Sequence, residues 1–414
     1  MTANFTDNQL KKDGTILFLS TLLVNAGNYG INLLLGRWLG PTEFSEISLL
    51  VTLLLILSFW ALAFQLTSAK YVAEYLIDDS QNELPNFLNW LKNLAVLVGF
   101  VLAILLIGLG VFLGDFFQIS SPRLFVIFGL GMPFYLLMSV NRGVLQGQNN
   151  YRRLAITFQV EMWTRLLFSI IFVKMGYGVE GVAWGLSLSI LSSWFVSNTP
   201  IKKTTNKPFK NKKIFNFFLI VLVYESSQVL INNSDTILIK HFFSPVNAGL
   251  YAALAIIGRI VYFGTWTVVT MLFPIVIKLE KEGKDHTNYF FGGLLVVGSI
   301  AGIIIIVCYA VPELMVNLLF GEQYLSIAPS LWLYALATGL FALVNVFVYY
   351  NMSLDRLLPV WFTLFGGALQ ILMIYAFHNS FEQVIYIQIY LMLSLLITMI
   401  FYQFLIFRKQ FIIS

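Results

Sequence analysis

The chain reads as an all-helical polytopic membrane protein that crosses the bilayer about twelve times, in two six-helix lobes related by a parallel repeat. Composition is the first reason: 58% of the 414 residues are hydrophobic, 11% are charged and mean hydropathy is +0.82, which is too apolar for a surface that faces water. Pattern is the second, because the apolar residues gather into runs of about 20, the length a helix needs to cross the hydrocarbon layer. Long Leu/Ile/Phe runs do not suit a transmembrane β-barrel, whose strands alternate over about ten residues. A weak internal repeat is the third. Pro41 and Pro245 stand 204 positions apart, close to half the chain, and the same offset pairs Asn28 with Asn232, Leu35 with Ile239, Trp38 with Phe242, Val144 with Val348, Arg152 with Arg356 and Leu154 with Leu358.

The elements follow in order. Residues 1–13 are polar and no small-residue cleavage site follows the first apolar run, so 14–36 is expected to be a retained span rather than a signal peptide. The break GRWLGPTEFSEISLL at 36–50 separates it from a second span at 44–69, since proline ends a helix at least cost where no backbone donor is needed. Further spans are expected at 91–113, 123–146, 153–174 and 179–200. The basic segment KKTTNKPFKNKK at 202–213 then links the lobes on the cytoplasmic side. The second set runs 214–239, 247–275, 287–310, 327–351, 357–377 and 384–407, and its opening break, KHFFSPVNAGLYAAL, is the counterpart of the first. The lobes are therefore expected at 1–201 and 214–414. Six spans in each keep both lobes in one orientation, with the repeat axis along the membrane normal.

Lysine and arginine set the orientation. With both termini in the cytoplasm, Arg37, Arg123, Lys174 and Lys240 fall outside and Arg165 and Arg259 fall within spans. The other 19 of the 25, Arg142 among them, fall inside. The net charge of +5 is thus an orientation signal and does not point to nucleic acid. A single cysteine, Cys308, leaves no disulfide within the chain, and His241, His286 and His378 form no metal-ligand spacing. No cofactor motif is present. The absence of a phosphate-cradling Gly-Lys-Ser/Thr loop argues against ATP hydrolysis, and short outer connections without clustered His, Asp and Glu argue against a membrane enzyme of polysaccharide assembly.

Ionisable groups inside spans are costly and mark the places to inspect. On the seventh span Glu225, Gln228, Asn232 and Asp235 recur on one helical face, and on the first, its partner in the repeat, so do Asn25, Asn28 and Asn32. Both stripes are expected to line a cavity, with interhelical hydrogen bonding as the plainer alternative. Arg259, about midway along the eighth span, is expected to meet a phosphate group through its guanidinium fork, or else to pair with Glu225. Tyr262 and Trp266 follow it on the same face. Glu161 and Arg165 on the fifth span are spaced for an ion pair within one helix.

The segments LGPTEFSEISL, RGVLQGQNNYRR, SPVNAGLYAA and LLFGEQYLSIAP together resemble the oligosaccharide-lipid, Wzx-type flippases of the multidrug/oligosaccharidyl-lipid/polysaccharide exporter superfamily. The resemblance covers nearly the whole chain in length, span count and organisation. It implies a MATE-like fold of twelve helices in two lobes, and a non-enzymatic transporter in the cytoplasmic (inner) membrane of a prokaryote. Its substrate would be a polyprenyl-pyrophosphate-linked oligosaccharide destined for O-antigen, capsule or exopolysaccharide, and its partners would be membrane lipids and a polysaccharide polymerase or glycosyltransferases. The buried polar residues themselves, rather than the resemblance, offer Arg259, Asn28, Asn32, Asn232, Gln228, Arg165 and Trp266 as substrate contacts, with Glu225, Asp235 and Glu161 as coupling or ion-pair groups. A cation-coupled multidrug exporter of the same fold is the alternative.

Overall fold

A computed structural model describes residues 7–77, 82–198, 212–354 and 356–413; the side chains of a few residues within these ranges, Trp266 among them, lie outside the description. Among the described residues every regular element is helical. Among the described residues ten helices are long and apolar enough to cross a membrane. Two of them have double length: Lys12–Leu76 with 65 residues and Tyr151–Ser197 with 47. Each is broken at glycine in the left-handed region, at Gly40 (φ 74°) in the first and at Gly176 and Gly178 (φ 90° and 48°) in the second. Counting each half as a crossing gives the twelve spans.

Element α1 (Asp7–Ile77) shows how a break is built. Gly40 takes a backbone conformation that costs an L side chain about 1 kcal/mol or more, and Pro41 follows with no amide hydrogen to donate. The next elements are α2 (Leu84–Gly108), α3 (Gly110–Phe116), α4 (Arg123–Leu130), α5 (Met132–Gly147), α6 (Tyr151–Phe172) and, after one π turn, α7 (Gly178–Ser197). Then come α8 (Lys212–Phe242), α9 (Pro245–Gly258), α10 (Ile260–Lys281), α11 (Thr287–Ala310), α12 (Pro312–Leu319), a 3-10 stretch over Glu322–Ser330, α13 (Leu331–Ser353), α14 (Leu358–Ala376) and α15 (Phe381–Ile413).

The 204-residue offset recurs in these boundaries. Shifted by it, α2 becomes 288–312 against α11 at Thr287–Ala310, and the short α3 becomes 314–320 against α12 at Pro312–Leu319. Element α7 becomes 382–401, within α15.

The helices form two compact units: Met1–Leu39 with Glu46–Ser226, and Gly40–Ser45 with Ser227–Ser414. The division falls within α8 rather than in the basic segment, of which only Lys212 and Lys213 are among the described residues. Aromatic packing explains both departures from a division at the loop. In the first unit Phe218 lies 4.9 Å from Phe64, and Phe217 stands edge-on to Tyr71 at 5.8 Å, tying the start of α8 to the second half of α1. In the second unit Phe44 stands edge-on to Phe320 at 5.4 Å, and Ser45 accepts from the buried Lys240 ammonium at 2.8 Å. Lys240, expected in an outer connection, is therefore a core cation of that unit.

Candidate functional site

Four helices of the first unit build the site. Arg142 sits on α5, five residues before its end. Beside it Gly143 allows a close crossing, since a Cβ there would stand 2.3 Å from the Gln65 carbonyl oxygen. The charge pattern counted Arg142 with the cytoplasmic side, although the expected span 123–146 contains it, and it is buried, with a side chain only 7% exposed. Its Nε donates to Thr157 Oγ1 at 3.0 Å. Nη2 donates to the Thr157 carbonyl (3.0 Å), Ser193 Oγ (2.9 Å) and Glu161 Oε2 (2.7 Å). The guanidinium also lies over the Phe158 ring, 4.2 Å from its centre.

Glu161 and Arg165 stand one turn apart on α6, and Arg165 Nη2 donates to Glu161 Oε1 at 2.5 Å, as the i, i+4 spacing predicts. Arg165 Nη1 reaches Asn28 Oδ1 on α1 at 3.1 Å. The pairing of α1 with α6 is reinforced by Gln159 Nε2, which donates to Ser20 Oγ at 2.8 Å and to the Ser20 carbonyl at 3.0 Å. These groups border a cavity of about 280 Å³ lined by Thr21, Asn25 and Asn28 of α1, Arg142 of α5, and Glu161 and Arg165 of α6, with Val24, Phe158 and Met162 as its apolar wall. Two guanidiniums share one carboxylate here. The cavity carries a surplus positive charge.

The second unit treats its buried charge differently. Asp235 on α8 is 1% exposed, and its carboxylate accepts from Arg259 Nη2 (3.1 Å), Tyr251 OH (3.0 Å), Tyr334 OH (2.7 Å) and Gln388 Nε2 (3.3 Å). Arg259 also donates to Thr236 Oγ1 at 3.1 Å, and Gln388 to Tyr251 OH at 2.7 Å. Arg259 stands at the junction of α9 and α10. Its ion-pair partner is thus Asp235, which corrects the alternative of a pair with Glu225, a residue of the first unit.

The remaining expected residues are dispersed. Asn32 and Asn232 donate back to their own helices, to the carbonyls of Asn28 (2.7 Å) and Gln228 (2.8 Å). Gln228 is buried and Glu225 half-buried, so the seventh-span stripe does not share one environment: Asp235 is sealed in a polar network, while Asn232 and Glu225 keep partial exposure. On the first span Asn25 and Asn28 do face one cavity. The Trp266 side chain lies outside the described residues. Sequence reasoning missed Arg142, Thr157 and Ser193. The available signal was that the expected span 123–146 already contains Arg142, and α5 runs past it to Gly147.

Fold and site together define a class: a polytopic membrane protein with a doubled six-helix repeat and a cationic cavity in its first half. The chain belongs to the polysaccharide biosynthesis protein family, whose model matches residues 10–280. Among curated relatives it is 22% identical over 295 residues to the uncharacterized membrane protein MJ1068 of Methanocaldococcus jannaschii, a match that covers 63% of this chain and 57% of that protein. Two solved structures have the same fold at 13% identity. One is the lipid II flippase MurJ in an inward closed conformation (TM-score 0.77, covering 94% of this chain and 87% of that one). The other is an inward-facing multidrug resistance MATE family transporter of the MOP superfamily (TM-score 0.74, covering 91% and 92%).

Proposed function

We propose that the protein moves a polyprenyl-pyrophosphate-linked oligosaccharide from the inner to the outer leaflet of a prokaryotic cytoplasmic membrane, by alternating access, to supply surface polysaccharide synthesis. In this reading both termini are cytoplasmic. Glycosyltransferases act on the substrate before it and a polysaccharide polymerase after it. One observation carries the reading: Arg142 and Arg165 share the single carboxylate of Glu161 beside an open cavity. At an effective dielectric of about 20, opposite charges about 4 Å apart attract by about 4 kcal/mol, so one surplus guanidinium decides the sign of the ligand. A pyrophosphate group fits, and the guanidinium fork matches its oxygens bidentately. Asn25, Asn28 and Thr21 add neutral hydrogen-bonding groups suited to a sugar. The same charge repels the cationic compounds a multidrug exporter would carry. Arg259 belongs, in this reading, to the framework of the second unit, because Asp235 already neutralises it.

The test is reconstitution into liposomes with a fluorescent polyprenyl-pyrophosphate oligosaccharide whose headgroup is quenched from outside. Wild type should move the headgroup across. Arg142→Lys, which keeps the charge and loses the fork, should transport weakly, and Arg165→Gln should lower the rate about tenfold or more, a loss of about 1.4 kcal/mol in transition-state binding. Full transport by both variants rejects the site.

A further inference from the structure

Within the cluster of the first unit the two arginines and the glutamate are not equivalent. Arg142 is held in place without Glu161: Thr157 and Ser193 accept three of its hydrogen bonds and Phe158 supports its face. Arg165 keeps Asn28 as a neutral partner, and among the described residues its buried Nε finds none, leaving one donor to spare. Glu161 has the opposite character. Its oxygens are divided, Oε1 to Arg165 and Oε2 to Arg142, so the carboxylate spans guanidiniums presented by two helices. That is how a phosphate group would also be held: one negative centre with oxygens pointing to two forks.

We propose that Glu161 is a resident anion, which occupies Arg142 and Arg165 in the unloaded cavity, is displaced by the phosphate of the substrate, and returns to expel it. The inference rests on the reading of this cavity as a phosphate site. Physical chemistry supplies the reason for such a device. Two guanidiniums left uncompensated inside a membrane lobe carry a large desolvation cost, and a site that binds pyrophosphate through both would release it slowly. An internal carboxylate limits both costs. It neutralises the empty site in part, and it competes with the ligand at high effective concentration because it is tethered one turn from Arg165.

The exchange has a charge signature. The groups facing Glu161 are Arg142 and the Tyr135 hydroxyl from α5, Arg165 from its own helix, and the neutral Asn28 and Ser193 of the cluster. Among the described residues no second carboxylate lines the cavity. Replacing Glu161 by a neutral side chain removes the charge that holds both guanidiniums, so a bound anion should then be favoured.

Calorimetric titration of the full-length protein in nanodiscs of zwitterionic lipid, with sodium sulfate as the probe, tests this. Sulfate stays fully ionised at neutral pH, so its affinity reports the charge of the protein. Glu161→Gln and Glu161→Ala should each bind sulfate at least about tenfold more tightly than wild type. Binding by both variants that is equal to or weaker than that of wild type overturns the proposal. If Arg165→Gln leaves sulfate affinity unchanged, the cavity is not an oxyanion site, and that result overturns the underlying reading as well.

Discussion

The two halves of this protein repeat one helical plan and dispose of buried charge in opposite ways. In the first, two guanidiniums compete for one carboxylate beside a cavity of about 280 Å³. In the second, one guanidinium meets one carboxylate, two tyrosine hydroxyls and a glutamine amide complete its shell, and the buried Lys240 ammonium stands apart from it on Ser45. Positions related by the 204-residue offset show that the charges themselves are not repeated: Arg142 corresponds to Val346, Arg165 to Leu369, Asp235 to Ile31 and Arg259 to Leu55. A doubled fold therefore need not have a doubled site. A matched and fully bonded pair stabilises a fold, while an unmatched one invites a ligand.

The largest effect should come from breaking the matched pair. Asp235→Ala leaves the half-buried Arg259 with no counterion from that position, and loss of one partner of a buried pair costs about 3–5 kcal/mol. Thermal unfolding in detergent should show it. Asp235→Asn/Arg259→Gln, which removes both charges together, should recover most of that loss. If the double variant is as unstable as Asp235→Ala, the pair is not the source of the stability, and the contrast between the halves weakens.

Arg165 should separate stability from function. Its removal lowers the surplus charge of the first unit and leaves the Glu161–Arg142 pair in place, so Arg165→Gln should cost less than about 1.5 kcal/mol of stability while anion binding falls about tenfold or more. Arg142→Gln, which abandons three neutral acceptors as well, should cost more, about 2–3 kcal/mol. Equal stability costs for the two would mean that the neutral bonds around Arg142 contribute little.

The fold was legible because bilayer helices must satisfy their own backbone, so hydropathy alone marks spans such as α11 and α14, and Pro41 and Pro245 mark breaks. The pair Glu161–Arg165 was legible for the same local reason, one turn of helix. What the pattern does not contain is which helix faces which. Glu225 and Asp235 lie on one face of α8 about 15 Å apart, and nothing local chooses between them as the partner of Arg259. Arg142 was misplaced because a cation near the end of a span looks like a connection, and its acceptors Thr157 and Ser193 are 15 and 51 residues away.

The smallest and most pointed test uses Asn28 and Asn232, which the repeat makes equivalent. Asn28 spends its side-chain oxygen on Arg165 at 3.1 Å, across two helices and at the cavity wall. Asn232 donates its amide to the Gln228 carbonyl at 2.8 Å, one turn back on its own helix. A side chain that bonds its own helix in this way adds little to a fold and competes with the backbone. Asn232→Ala should therefore change stability by no more than about 0.5 kcal/mol and leave sulfate affinity as it was. Asn28→Ala removes one hydrogen bond to a charged group and a polar element of the wall, and should weaken sulfate binding by about 1 kcal/mol, close to fivefold, with unfolding little changed. Equal effects of the two substitutions on binding would place the ligand under the control of both halves alike, and the charge asymmetry would then have no functional meaning.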